Sequence, residues 1–231
     1  MIKIILIVQA RVSSTRFPNK VLCKLQNATI IEWINYRISK SNNIDDFVFA
    51  IPDNHSDDIL SNKINKLGSN LFRGDENNVL KRYYETALEF KATHIVRLCA
   101  DNPLVLPSEI DRLIDNYFKS NCDYMYNHIP LNNLYPDGLG AEIISFDLLK
   151  KMYNKVNEFK HLEHCFSFIT DNHNLFKIET FNPTKKNRFR PDLKFDVDVH
   201  DDLLYLNSKN YNMDINFDKI IKFFGSIEEL S

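Results

Sequence analysis

Ile2-Lys-Ile-Ile-Leu-Ile-Val-Gln-Ala-Arg-Val-Ser-Ser-Thr-Arg-Phe-Pro-Asn-Lys20 decides the fold. From Ile2 to Val8 it is apolar and rich in branched residues, broken only by Lys3, as expected of a central parallel strand covered on both faces. From Gln9 to Lys20 it is a polar, basic loop that contains no glycine. The apolar run is too short to span a bilayer. It also leads directly into Gln9, Arg11 and Arg16 instead of a small-residue cleavage site, so it reads as a buried strand and not as a signal peptide.

Beyond this stretch, strand and helix patterns alternate. Ile30, Ile34 and Ile38 recur at helical spacing. Phe47 to Ile51 reads as a second strand. Ser56 with Asp57 and Asp58 reads as a helix start, with Ile59, Leu60, Ile64 and Leu67 as the apolar side. Asn70 to Arg73 is a short predicted strand closed by Gly74, and Val79, Leu80, Tyr83, Ala87 and Leu88 trace an amphipathic helix. Thr93 to Leu98 reads as a third buried strand. Ser108 with Asp111 resembles a capping box for a helix reaching about Lys119. This order predicts an α/β sheet with right-handed crossovers.

The second half is less regular. Strands are expected over Asp123 to Tyr126, Gly140 to Phe146, Phe176 to Phe181 and Leu193 to Val197. Helices are expected over Phe146 to Tyr153, His161 to Asp171 and Asn216 to Phe224. No repeat or low-complexity linker interrupts the chain, so one domain over residues 1–231 is expected.

A chain of 231 residues can bury a sizeable core without disulfides or metal staples. With 44% hydrophobic and 26% charged residues it has the balance of a soluble globular protein. A net charge of −2 argues against a broad nucleic-acid-binding surface, and no membrane association is expected. Cys23, Cys99, Cys122 and Cys165 form no CxxC pair and read as reduced thiols, which points to the cytoplasm.

In open α/β sheets, ligands bind beyond the carboxyl ends of the strands. Three polar segments follow predicted strands here. The loop after the first strand offers Arg11, Arg16 and Lys20 with Ser13, Ser14 and Thr15, the donors that a triphosphate needs. It matches neither a Walker A sequence nor a dinucleotide fingerprint, and a solvated basic loop is its alternative reading. Asp101-Asn102-Pro103 puts a carboxylate at a strand end, where it can hold Mg²⁺ against phosphate oxygens or cap a helix. In Phe195-Asp-Val-Asp-Val-His-Asp-Asp-Leu203, an extended chain sends Asp196 and Asp198 to one side, while Asp201 and Asp202 suit a helix cap. A basic loop with two separated acidic strand ends suggests phosphoryl or nucleotidyl transfer.

Other clusters have plainer readings. His161 and His164 lie three apart with no third zinc ligand, which favours a substrate-facing or capping role. The aromatic residues around Tyr83-Tyr84 and Phe166 to Phe168 read as core. Lys185-Lys186-Asn187-Arg188 reads as a solvated loop, with binding of an acceptor carboxylate as the second reading. Tyr124, Tyr126 and His128 are candidates for the acceptor side.

Four stretches carry a family resemblance: Ile7 to Leu22; Arg73-Gly-Asp-Glu-Asn-Asn-Val-Leu-Lys-Arg-Tyr-Tyr84; Val96-Arg-Leu-Cys-Ala-Asp-Asn-Pro-Leu104; and Val197-Asp-Val-His-Asp-Asp-Leu203. Pro136-Asp-Gly-Leu-Gly-Ala-Glu142 and Glu163-His164 add to it. The chain resembles the cytidylyltransferases that activate sialic and KDO-type sugar acids, in particular the SpsF-like branch named for spore-coat polysaccharide biosynthesis. The resemblance implies a Rossmann-like, three-layer nucleotide-diphospho-sugar transferase fold with a mostly parallel mixed sheet. It also implies transfer of CMP from CTP to a sugar acid or polyol with release of pyrophosphate, dependence on Mg²⁺, and a homodimer.

By the same resemblance, Arg11, Ser13, Ser14, Arg16 and Lys20 cradle the CTP phosphates, and Gln9, Ala10, Arg73 and Arg97 lie near the nucleotide, with Arg82 a further candidate. Asp101 and Asp198 hold Mg²⁺, and Glu142 and His164 face the acceptor together with Tyr126. The expected catalytic set is Arg11, Arg16, Lys20, Asp101 and Asp198. The sequence departs from the family at Ser13, where Gly is usual, at Cys99-Ala100, which replaces Thr-Gly, and at His200-Asp201, which replaces Pro-Glu. A metal-dependent glycosyltransferase and a non-catalytic nucleotide-binding protein are the rival readings.

Overall fold

In the computed structural model, which describes residues 1–225, strand β1 (Ile4–Gln9) is hydrogen-bonded along both edges. One edge pairs with β4 (Asp46–Pro52) and the other with β6 (His94–Cys99), both parallel. Its side chains alternate between two separate cores. Ile4, Leu6 and Val8 pack on one face with helices α1 (Ile30–Ile38), α2 (Asp58–Lys66) and α4 (Pro107–Lys119). Ile5 and Ile7 pack on the other with α3 (Val79–Glu89) and α5 (Phe146–Lys155). The unbroken apolar run thus has its physical cause: both faces of β1 are dry.

The sheet has seven strands among the described residues, in the order β5-β4-β1-β6-β8-β7-β9. Here β5 is Asn70–Gly74, β7 Tyr124–Tyr126, β8 Glu142–Ser145 and β9 Ile178–Thr180. Only β8 runs antiparallel to its neighbours, so the sheet is mixed and mostly parallel. A two-strand hairpin, β2 (Lys24–Leu25) with β3 (Ala28–Thr29), leads into α1. Two short helices, α6 (Phe159–Glu163) and α7 (Ser167–Asp171), follow α5, and α8 (His200–Asn207) and α9 (Phe217–Phe224) close the described chain.

The structure departs from the sequence reading in particular places. The turn before α2 is capped by Asn54, whose Oδ1 accepts the Asp57 N–H at 3.0 Å, and Ile59 is 59% exposed instead of lining the core. Leu88 is likewise exposed. No Ser108 capping box forms. Pro107 opens α4 with its fixed φ, and Asp111 instead accepts hydrogen bonds from the backbone N–H groups of Asn42 and Asn43. His161 to Asp171 is not one helix, because His164 leaves helical geometry at ψ 72° between α6 and α7. Leu193 to Val197 forms no strand but a single isolated bridge, Lys194 to Asp137. That segment crosses the strand ends, so its backbone bonds alternate between Asp137 and Asp101 instead of following one neighbour.

Arg37 fastens α1 to the segments that precede α4 and α9. Buried on α1, its guanidinium donates to the carbonyl oxygens of Val105 (2.6 Å), Met213 (2.7 Å) and Ile215 (3.0 Å). Arg37→Met would leave these carbonyls without a donor in a dry site. We predict a loss of roughly 2–4 kcal/mol in urea unfolding; a loss within experimental error would show that the clamp is dispensable.

Candidate functional site

The loop after β1 reaches its shape without glycine because one residue organises it. Val12 is buried; its N–H donates to Asp57 Oδ1 at 2.8 Å, and its carbonyl accepts the N–H groups of Ser14 and Asn19, both at 2.9 Å. Asn19 takes the left-handed conformation, φ 59°, a role that Asn fills more readily than most residues. The chain then turns into a 3₁₀ turn, Lys20–Leu22, which directs Lys20 back toward the strand ends. Ser13 keeps a negative φ, so the family's glycine is not needed here for backbone reasons.

Lys20 is the hub. Its Nζ donates to the Val197 carbonyl at 2.7 Å and lies 3.4 Å from both Asp101 Oδ2 and Asp198 Oδ1. Arg16 Nη2 contacts the same Asp198 oxygen at 2.9 Å. A backbone bond of 2.8 Å from Val197 N–H to the Asp101 carbonyl fastens the two acidic segments directly. Arg11 reaches Glu163 at the end of α6, at 3.5 Å.

These groups line one open pocket of about 210 Å³. Its basic wall carries Arg11, Ser14, Arg16 and Lys20, with Gln9 and Ala10 at the end of β1. Arg97, Asp101, His164 and Asp198 complete it from the other segments. Thr15, Val21, Cys99 and Ala100 also line it, the last two being the departures from the family pattern. The departing His200 sits at the start of α8, edge-on to Phe17 at 5.7 Å.

Four expected site residues lie elsewhere. Ser13 is exposed outside the pocket lining. Arg73 spends its donors on Asp58 (2.6 Å) and the Asn54 carbonyl (2.6 Å), holding the loop after β4. Tyr126 lines a different cavity with Asn132, His173 and Thr180, and its hydroxyl donates to the Leu131 carbonyl. Glu142 is buried behind the pocket, where its carboxylate accepts from Arg97 and from the Tyr124 hydroxyl. Burial, the largest single effect, opposes its ionisation, but the Arg97 and His128 charges and the hydrogen bonds from Tyr124 and Arg97 together outweigh it and lower its pKa. Glu142 therefore fixes Arg97, which also donates to Gln9 Oε1 at 3.3 Å, and does not present a surface to an acceptor.

Several further expectations resolve. His161 is buried, its Nδ1 2.8 Å from Ser167 Oγ, and no group of three metal-ligating side chains occurs among the described residues. Tyr83 and Phe166 are core. Lys185 and Arg188 pair with Asp218 and so fasten α9, not an acceptor.

One feature of the site was missed in the sequence. Asp137 and Asp196 join Asp101 and Asp198 in an acidic cluster, with Lys194 near Asp196 (3.4 Å), Asp198 (3.7 Å) and Asp202 (3.5 Å). Burial, then the charges of Asp196 and Asp101, push Asp137 up to about 7. Burial also raises Asp196, with Asp101 and Asp198 adding to the shift against Lys194. The like charges disfavour full ionisation of the cluster, and Lys20, Arg16 and Lys194 are the cations that offset them. The signal in the sequence was Pro136-Asp-Gly138: Gly138 has φ 86°, and a Cβ there would meet the Asp196 backbone N at 2.7 Å. Only glycine lets Asp137 approach so closely.

Comparison with known proteins gives the chain a family and a fold. A sequence model of the family described as cytidylyltransferase matches residues 5–227. The uncharacterized protein MJ1063 of Methanocaldococcus jannaschii is 35% identical, covering 94% of this chain and 87% of that protein. The spore coat polysaccharide biosynthesis protein SpsF of Bacillus subtilis is 32% identical, covering 86% of this chain and 82% of SpsF. Among solved structures, a cytidylyltransferase from Leptospira borgpetersenii has the same fold, with a TM-score of 0.88 at 23% identity, over 97% of this chain and 94% of that one. By sequence and by fold, then, the chain belongs to the cytidylyltransferase family, a family of nucleotidyltransferases.

Proposed function

We propose that this protein transfers CMP from CTP to a sugar acid or related polyol acceptor and releases pyrophosphate, in the biosynthesis of a surface polysaccharide or glycoconjugate. The observation that carries this reading is the single pocket in which Arg11, Arg16 and Lys20 meet Asp101 and Asp198. SpsF, a relative over most of its length, is named for polysaccharide biosynthesis, which supports the pathway class.

In this reading an acceptor oxygen attacks the α-phosphorus, a new P–O bond forms, and the bond to the β-phosphate oxygen breaks. The charge that builds on the leaving pyrophosphate falls to Arg11, Arg16 and Lys20. Each of these is already paired with a carboxylate, so triphosphate binding exchanges ion pairs instead of desolvating free cations. Such pre-paired side chains are held near their working positions, which lowers the ordering cost of binding. Gln9, Ala10, Ser14 and Arg97 face the nucleotide, with Arg97 aimed by Glu142 and Gln9. His164 lies on the acceptor side. Asp101 and Asp198 would hold Mg²⁺, which supplies charge neutralisation at phosphate oxygens. A cytoplasmic location and a homodimer belong to the same proposal. Among the described residues no helix is long and apolar enough to cross a membrane.

Incubation with CTP, Mg²⁺ and a panel of sugar acids tests the function. Pyrophosphate release is expected; release of nucleoside diphosphate from a sugar donor, or binding without turnover, would replace this reading with a glycosyltransferase or a non-catalytic protein. Arg16→Ala should raise the KM for CTP and lower kcat/KM by about 10-fold or more, and unchanged kinetics would remove the basic loop from the mechanism. Asp101→Asn should abolish Mg²⁺-dependent turnover while thermal unfolding stays close to that of the unaltered protein. Retained activity would refute the metal assignment.

A further inference from the structure

Behind the phosphate-contacting loop lie two buried, oppositely charged groups that the proposed chemistry does not use. Asp57 and Arg82 are both fully buried, at 0% exposure. Asp57 sits in the turn after β4, and Arg82 on α3 packs over Gly74, where an added Cβ would meet its Cγ at 3.2 Å. Asp57 Oδ1 accepts the Val12 N–H, the one bond that ties the organising residue of the loop to the body of the protein on its N–H side. The other oxygen, Oδ2, is buried with no hydrogen-bond partner. Arg82 uses Nη1 on the Asp75 carbonyl, while its Nε and Nη2 are likewise buried and without partners.

A carboxylate oxygen without donors and guanidinium N–H groups without acceptors are complementary. Either group alone in a dry interior is strongly unfavourable; the two make no direct ion pair, and their opposite charges offset one another only at longer range. Burial raises the Asp57 pKa, the hydrogen bonds from Val12 and Asn54 oppose that rise, and the Arg82 charge adds a smaller effect in the same direction against that of Glu76. We propose that Asp57 is a positioning residue for the phosphate-contacting loop, setting its backbone through Val12, and that Arg82 is its buried counter-charge. Asp57 ties the β4 turn to the loop, so the pose of Arg11, Arg16 and Lys20 depends on a residue outside the pocket lining. This inference rests on the CTP-binding reading of the loop.

Two variants separate the bond from the charge. Asp57→Ala removes the acceptor for Val12 and should raise the KM for CTP by about 10-fold or more with little change in kcat. Asp57→Asn keeps an acceptor oxygen for Val12, so its KM should stay near that of the unaltered protein, yet it strands Arg82 and should unfold at lower urea. Adding Arg82→Met to Asp57→Asn should then cost less stability than the two single changes summed. An unchanged KM in Asp57→Ala, or strictly additive stabilities, overturns the proposal. Amide exchange on the unaltered protein is independent of activity and of variant folding. Val12 N–H should exchange as slowly as the β1 amides although it lies in a loop, and fast exchange contradicts the anchor. If the unaltered protein releases no pyrophosphate from CTP, the functional reading fails while this exchange result still decides the inference.

Discussion

The Lys20 ammonium joins three stretches of chain that are remote in sequence: the loop after β1, the end of β6 and the segment before α8. Asp101 and Asp198 lie close enough for one cation to touch both, and without it their like charges would push the two segments apart. The pocket depends on this contact, since the 195–198 segment has no strand to hold it in register. Its backbone is pinned by bonds to Asp137, Asp101 and the Asp202 carboxylate, and Lys20 adds a further fixing point through the Val197 carbonyl.

Phosphate sites are often built from glycine-rich turns in which bare backbone N–H groups approach the ligand. Under the proposed function this loop would follow a different plan. Its curvature comes from Val12, bonded at both its N–H and its carbonyl, and from the left-handed Asn19. What it offers a ligand is mostly side chains: two guanidinium groups, one ammonium and the hydroxyls of Ser14 and Thr15. Fixed carboxylate partners keep those long side chains from wandering. The same carboxylates crowd one another around Asp137 and Asp196, leaving the pocket with both a cationic wall and an acidic corner.

Much of the fold was legible because each β1 face is dry, which writes an unbroken apolar run, and because the helices of the first half carry clear apolar stripes. The misreadings came where packing overrides local pattern. Ile59 and Leu88 fit a helical stripe yet face solvent. Leu193 to Val197 alternates like a strand, but it crosses strand ends and finds no ladder. At the pocket, the loop after β1 and the two aspartates could be read from residue type and position after a strand. Glu142 could not, because nothing in the sequence distinguishes a carboxylate facing a ligand from one buried against Arg97. Arg73 lies outside the pocket lining for the same reason, its Nη1 and Nη2 donating to Asp58 and the Asn54 carbonyl.

The most direct measurement is a crystal structure with CTP and Mn²⁺, the manganese being located by its anomalous signal. The account predicts a metal peak in contact with the Asp101 and Asp198 carboxylates, and the triphosphate against Arg11, Arg16 and Lys20. A nucleotide bound on another face, or a metal that touches neither aspartate, would contradict it.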